Sequence, residues 1–213
     1  MIKEPQPGPK VFLVDDDPAV LSALGRLLKS AGYTVSSFPS AREFLDSDDP
    51  AVPGCAVLDI KMAELDGLTL QQEMSSRGDL RPIIFLTGCD DALTGVKAMK
   101  AGALDYLVKP VDDTELITAI DHAMRIDEVT RRQHDDREAL DQRYANLTPR
   151  EREVMAYVVE GYLNKQIAHK LGIVEKTVKV HRSRVMEKMN VRSVAALVRM
   201  WEHLGLEHTA HGD

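Results

Sequence analysis

Five residues of the chain stand where short apolar runs stop abruptly, and their types suit the handling of a divalent cation and anionic oxygens. Lys10-Val11-Phe12-Leu13-Val14 ends in Asp15-Asp16-Asp17, and Cys55-Ala56-Val57-Leu58 ends in Asp59. Pro82-Ile83-Ile84-Phe85-Leu86 ends in Thr87, and Tyr106-Leu107-Val108 ends in Lys109-Pro110. Carboxylates brought side by side raise one another's pKa, so such a set calls for a cation to share. Mg²⁺ fits, because it binds through one or two carboxylates and keeps water and phosphate oxygens as its other ligands. Asp17, directly before Pro18, reads instead as a helix cap. Thr87 or Lys109 alone would be an ordinary loop or surface residue, and only their shared position at run ends groups them with the acids.

Something must bring these distant positions together, and the pattern between them supplies it. After Pro18, which suits a first helical turn, Val20, Leu21, Leu24, Leu27 and Leu28 fall on one helical face, and Gly32 closes that helix. Tyr33 to Ser37 reads as a second strand, and Ser40-Ala41-Arg42-Glu43 as a capping box opening another helix. Further helices are expected around 67–76, around 91–101 and after Asp113. Strands alternating with helices predict an α/β doubly wound, five-stranded parallel sheet, with any site at the carboxyl ends of its strands.

The composition holds a second message. Hydrophobic residues make up 44% and charged residues 29%, as in globular proteins rather than disordered or disulfide-scaffold chains. The net charge of −7 is unevenly spread: residues 1–125 carry 12 basic and 20 acidic side chains, whereas residues 148–213 carry 11 basic and 8 acidic. An acidic front and a basic back point to two functions. Two cysteines without a CxxC pair, no apolar run of membrane-spanning length, and an acid and two prolines near the N-terminus point to a reducing cytoplasm and no membrane.

Residues 130–139 are nearly devoid of apolar side chains and read as a solvated helical linker. Ile126, Leu140 and Leu147 have heptad spacing, but Gln133 and Asp136 interrupt it, so a coiled coil is not expected. Thr148-Pro149-Arg150-Glu151 is a complete helix start. A helix from Asn164 to Leu171, the turn Gly172-Ile173-Val174 and a third helix from Glu175 to Met189 give a helix-turn-helix pattern, making the second domain small and all-α. The outward residues of the third helix include Lys176, Lys179, Arg182 and Arg184, followed by Lys188 and Arg192. That is a solvated basic face or a face for the DNA major groove. Val194 to Leu204 is amphipathic, with Trp201 expected in the core. His203, His208 and His211 are too loosely spaced to suggest a metal site, and Cys89 reads as a small loop residue.

Two sets of residues carry a resemblance. Val14-Asp15-Asp16, Leu58-Asp59-Ile60-Lys61-Met62, Leu86-Thr87-Gly88, Ala101-Gly102-Ala103 and Val108-Lys109-Pro110 resemble the receiver domain of bacterial two-component response regulators. Leu147-Thr148-Pro149-Arg150-Glu151, Asn164-Lys165-Gln166-Ile167-Ala168, Leu171-Gly172-Ile173 and Lys176 to Arg182 resemble the LuxR-type helix-turn-helix. Together they look like a FixJ/NarL-type transcriptional regulator, with a receiver at 9–126, a helical linker at 127–142 and a DNA-binding domain at 143–208. The resemblance implies that Asp59 accepts a phosphoryl group from a sensor histidine kinase. It implies that Asp15, Asp16, Asp59 and the Lys61 carbonyl hold Mg²⁺, that Lys109 and Thr87 meet the phosphoryl oxygens, and that Tyr106 is the switch aromatic. Lys109–Pro110 would be a cis peptide. In the DNA-binding domain it implies that Lys179, Val180 and Ser183 face bases, with Thr177, Lys165 and Arg192 on phosphates. Double-stranded DNA, a homodimer formed on phosphorylation and RNA polymerase are the implied partners. Two departures stand out: Ala63 replaces the family's usual proline, which bears on phosphoryl lifetime, and Val174 replaces a capping serine.

An aspartyl-phosphate phosphohydrolase would also join strand-end acids to Mg²⁺, but it needs an Asp two residues after the nucleophile, where this chain has Lys61. The expectation is therefore a regulator, not an enzyme. A regulator whose receiver only dimerises, without phosphorylation, is the alternative. A quorum-sensing regulator would share the DNA-binding half but not the receiver.

Overall fold

A computed structural model describes residues 8–47, 49–88 and 92–206, the side chains of 92–95 excepted. Cys89, His208 and His211 lie outside the described residues. The chain divides near Arg131 into two compact units.

In the first unit the strands β1 (Lys10–Val14), β2 (Thr34–Phe38), β3 (Gly54–Asp59), β4 (Ile83–Thr87) and β5 (Asp105–Val108) form one sheet in the order β2-β1-β3-β4-β5. Every pairing is parallel. Between them run α1 (Pro18–Ser30), α2 (Ala41–Ser47), α3 (Gly67–Ser76) and α4 (Ala92–Lys100). The central strands are continuous apolar runs because a parallel sheet is covered on both faces. Alternate residues serve opposite cores: Phe12, Val14, Leu58 and Phe85 pack with Phe44, Leu70 and Met74. Val11, Leu13, Val57 and Leu86 pack with Leu28, Leu116 and Ile120. The doubly wound fold expected from the sequence is the one found.

Gly67 marks where the loop after β3 folds back hardest. A Cβ there would stand 2.4 Å from the Asp59 carbonyl oxygen and 2.9 Å from the Phe85 ring, so any side chain would force the loop off the sheet. Its N–H donates to the Ile60 carbonyl at 3.0 Å, which closes that loop.

α5 (Asp113–Ala145) is a single 33-residue helix. It runs unbroken through the polar stretch expected to be a linker, with no glycine or proline to stop it. Pairs four residues apart support it, among them Asp127–Arg131 and Arg137–Asp141. Asp127 is buried and accepts the Gly54 N–H at 2.8 Å, while the Arg131 guanidinium donates to the carbonyls of Pro50, Ala51 and Val52.

The second unit packs α6 (Pro149–Val159), α7 (Asn164–Leu171), α8 (Glu175–Lys188) and α9 (Val194–Leu204) around one apolar cluster. Leu140 and Leu147 are buried in that cluster with Val154, Ile167, Val185 and Trp201, which removes them from any coiled-coil seam. Glu151 completes the expected capping box: its carboxylate accepts the Thr148 N–H at 2.9 Å, and Thr148 Oγ1 accepts the Glu151 N–H at 3.3 Å. The same buried carboxylate accepts from Lys188 Nζ at 2.6 Å. Burial opposes its charge, but Lys188 and the Thr148 donors outweigh burial and hold the carboxyl below the usual glutamate value of 4.5. A depressed pKa contributes stability above that value and loses it as the pH falls through the folded one. The second unit is thus expected to weaken as the pH drops below about 4.5. Glu151→Gln, which can still cap, should flatten that acid limb by about 1 kcal/mol, Lys188 being partly exposed. Thermal unfolding followed against pH checks this, and an unchanged acid limb in the variant would contradict it.

Among the described residues, no helix is long and apolar enough to cross a membrane.

Candidate functional site

The parallel register sets the first site. β3 lies between β1 and β4, with Val14 opposite Leu58 and Asp59 opposite Leu86. Asp15, Asp59 and Thr87 therefore emerge side by side, and Thr87 pairs with Val108, the residue before Lys109. Lys109 Nζ donates to Asp15 Oδ2 at 2.7 Å and to Asp59 Oδ1 at 2.5 Å. The Lys109–Pro110 peptide is cis, as the resemblance implied.

Asp59 is only 6% exposed. Burial pushes its carboxyl above the ordinary value of 3.8, and the nearby Asp15 charge adds to that; Lys109 and the Lys61 backbone N–H pull it back. For Lys109, burial acts to lower the ammonium, but hydrogen bonds and charge from Asp15 and Asp59 outweigh it and raise the pKa. The ammonium is therefore held charged between two acids.

Asp16 is exposed, and its Oδ2 accepts the Ala63 N–H at 3.0 Å. Thr87 is buried, with its hydroxyl donating to the Gly88 carbonyl at 3.3 Å rather than to the acids. Tyr106 is 40% exposed on β5. The structure thus joins Asp15, Asp59 and Lys109 by direct contact, with Thr87 on the adjoining strand end. Among the described residues no three His, Cys, Asp or Glu side chains form a metal cage of their own. Mg²⁺ does not require one, since it is content with one or two carboxylates and several waters. Asp15 and Asp59 share the Lys109 ammonium, and the exposed Asp16 carboxylate follows Asp15 in the chain. Hard oxygen donors of this kind fit Mg²⁺.

The second site is the open face of α8. Lys176, Lys179, Val180, Ser183 and Arg184 are exposed and recur at i, i+3, i+4, i+7 and i+8, forming one stripe opposite buried Val178 and Val185. Val180 is 44% exposed among charged neighbours. Lys179 Nζ lies 3.2 Å from Glu175 on the surface. Lys165 and Arg192 are exposed, and Thr177 is half-buried. Val174 opens the helix with no side-chain cap.

Two basic residues differ from the outward placement read in the sequence. Arg182 is half-buried and donates to Asn164 Oδ1 at 3.1 Å, tying α8 to the start of α7. Lys188 turns towards Glu151 and the Asn146 carbonyl, where a buried carboxylate needs its charge. Sequence reasoning singled out Ala63 as a departure from proline but not its contribution here, a backbone N–H given to Asp16.

Residues 11–121 match the family described as response regulator receiver domain, and residues 145–201 match that described as bacterial regulatory proteins, luxR family. Response regulator protein TodT of Pseudomonas putida is 42% identical over 194 residues, spanning 91% of this chain and 86% of that one. Transcriptional regulatory protein FixJ of Azorhizobium caulinodans is 42% identical over 190 residues, spanning 89% and 90%. The solved structure of response regulator StyR is similar with a TM-score of 0.85 at 42% identity, over 92% of this chain and 99% of that one. With an acid site at the sheet edge of the first unit and a basic helix-turn-helix in the second, the chain belongs to the two-component response regulators that join a receiver to a LuxR-type DNA-binding domain and regulate transcription.

Proposed function

We propose that Asp59 is the phosphoacceptor and that its phosphorylation by a sensor histidine kinase drives dimerisation and sequence-specific DNA binding in the cytoplasm. The observation that carries this reading is the buried Asp59 carboxylate, held by Lys109 beside Asp15 at the end of β3. A carboxylate there can act as a covalent acceptor. Asp15, Asp16, Asp59 and the Lys61 carbonyl would hold Mg²⁺, which when bound supplies neutralisation of charge on the transferring oxygens. Lys109 would add its ammonium charge to the same neutralisation. Thr87 turns its hydroxyl from the Gly88 carbonyl towards the new acceptors, and Tyr106 moves into the space released. The receiver is taken as 9–126, the linker as 127–142 and the DNA-binding domain as 143–208.

Two copies would pair so that two α8 helices meet the half-sites of a palindrome, with RNA polymerase as a further partner. Lys179, Val180 and Ser183 would face bases; Lys165, Lys176, Thr177, Arg184 and Arg192 would hold phosphates. Arg182 would serve them indirectly, by fixing α8 on α7. Lys179→Ala is expected to weaken binding to the target operator by about 1–3 kcal/mol and binding to unrelated DNA far less. Binding isotherms on both DNAs at one salt concentration check it. Equal losses would place Lys179 on phosphate alone.

A further inference from the structure

Asp16 is exposed, yet its carboxylate is not left to swing. Its Oδ2 accepts the Ala63 N–H at 3.0 Å, from a residue 47 positions away. Its neighbour Asp15 is fixed in the same manner: Oδ1 accepts the Asp17 N–H at 2.9 Å and Oδ2 accepts from Lys109 at 2.7 Å. The loop that carries Ala63 cannot easily shift. The Gly67 N–H donates to Ile60 at one end, and the Asp59 carbonyl lies where a Gly67 Cβ would be. Met62, the residue before Ala63, is buried in the core. A backbone donor on an anchored loop thus meets a surface carboxylate whose free rotation would otherwise be lost only on binding a cation.

We propose that Ala63 is a positioning residue that acts through its backbone N–H, holding Asp16 in place for the divalent cation it shares with Asp15. This rests on the reading of Asp15 and Asp16 as cation ligands. Donors that fix a ligating carboxylate from behind typically govern 10–100-fold in metal affinity (about one to two decades). Proline, the residue that the resemblance puts at this position, has no N–H to give. The bond is therefore one that a proline at this position could not make, and it fixes Asp16 from a loop that is already anchored.

The test is titration calorimetry of the full chain with Mg²⁺ alone. Ala63→Pro is expected to weaken Mg²⁺ binding about tenfold, and Ala63→Ser, which keeps the N–H, is expected to retain it. An ester in place of the Met62–Ala63 amide removes the same N–H without fixing the backbone, and decides the matter if the proline variant fails to fold. Unchanged or tighter binding in the ester chain overturns the role of Ala63. Asp15→Asn separates the two layers. If it loses Mg²⁺ while the ester chain does not, the cation site stands and the positioning role falls. If it binds Mg²⁺ like the unaltered chain, the cation site falls and the inference with it.

Discussion

Asp59→Asn should take up no phosphoryl group from a kinase or from a small acyl phosphate, while the receiver unfolds at the same temperature or slightly higher. The amide has no anionic oxygen to attack phosphorus, so the loss is expected to be complete. Stability should hold because the native carboxylate is itself disfavoured: burial and the Asp15 charge both push its pKa up. A neutral amide removes that cost and keeps an oxygen for Lys109. Labelled phosphate incorporation and thermal unfolding, measured on the same preparation, check both halves. Label on the variant equal to that on the native chain would move the acceptor elsewhere.

Trp201→Ala should empty the centre of the second unit. Trp201 is 5% exposed and packs within the cluster of Leu140, Val154, Ile167 and Val185. Truncating a buried tryptophan costs about 3–5 kcal/mol, and a unit of this size holds about 4–12 kcal/mol in total. The variant should therefore lose most of its DNA binding through unfolding of that unit, while phosphoryl uptake at Asp59 persists. Calorimetry that resolves the two units checks it. A loss under about 1 kcal/mol would mean the indole is dispensable.

The sheet and its helices were legible because parallel strands are continuous apolar runs with sharp ends, and because sites in such folds gather at carboxyl ends. That rule alone selected Asp15, Asp59, Thr87 and Lys109 from separate stretches. The direction of long basic side chains was not legible. Arg182 and Lys188 have the same spacing signals as their neighbours, and only the partners Asn164 and Glu151 show where they turn. Buried charge pairs were hidden for the same reason. Buried Arg81 pairs with Asp79 and stands 4.2 Å from the Phe12 ring, and no pattern in the sequence singles the two out. The helical character of the polar stretch was legible, and in the structure it continues the helix that starts at Asp113, sustained by same-face ion pairs.

The most direct test of the central claim is sedimentation of the purified chain with Mg²⁺, before and after beryllofluoride is added as a phosphoryl mimic. The account predicts a shift from monomer to dimer that Asp59→Asn abolishes. An unchanged sedimentation coefficient, or a shift of equal size in Asp59→Asn, would contradict it and separate the acid site from assembly.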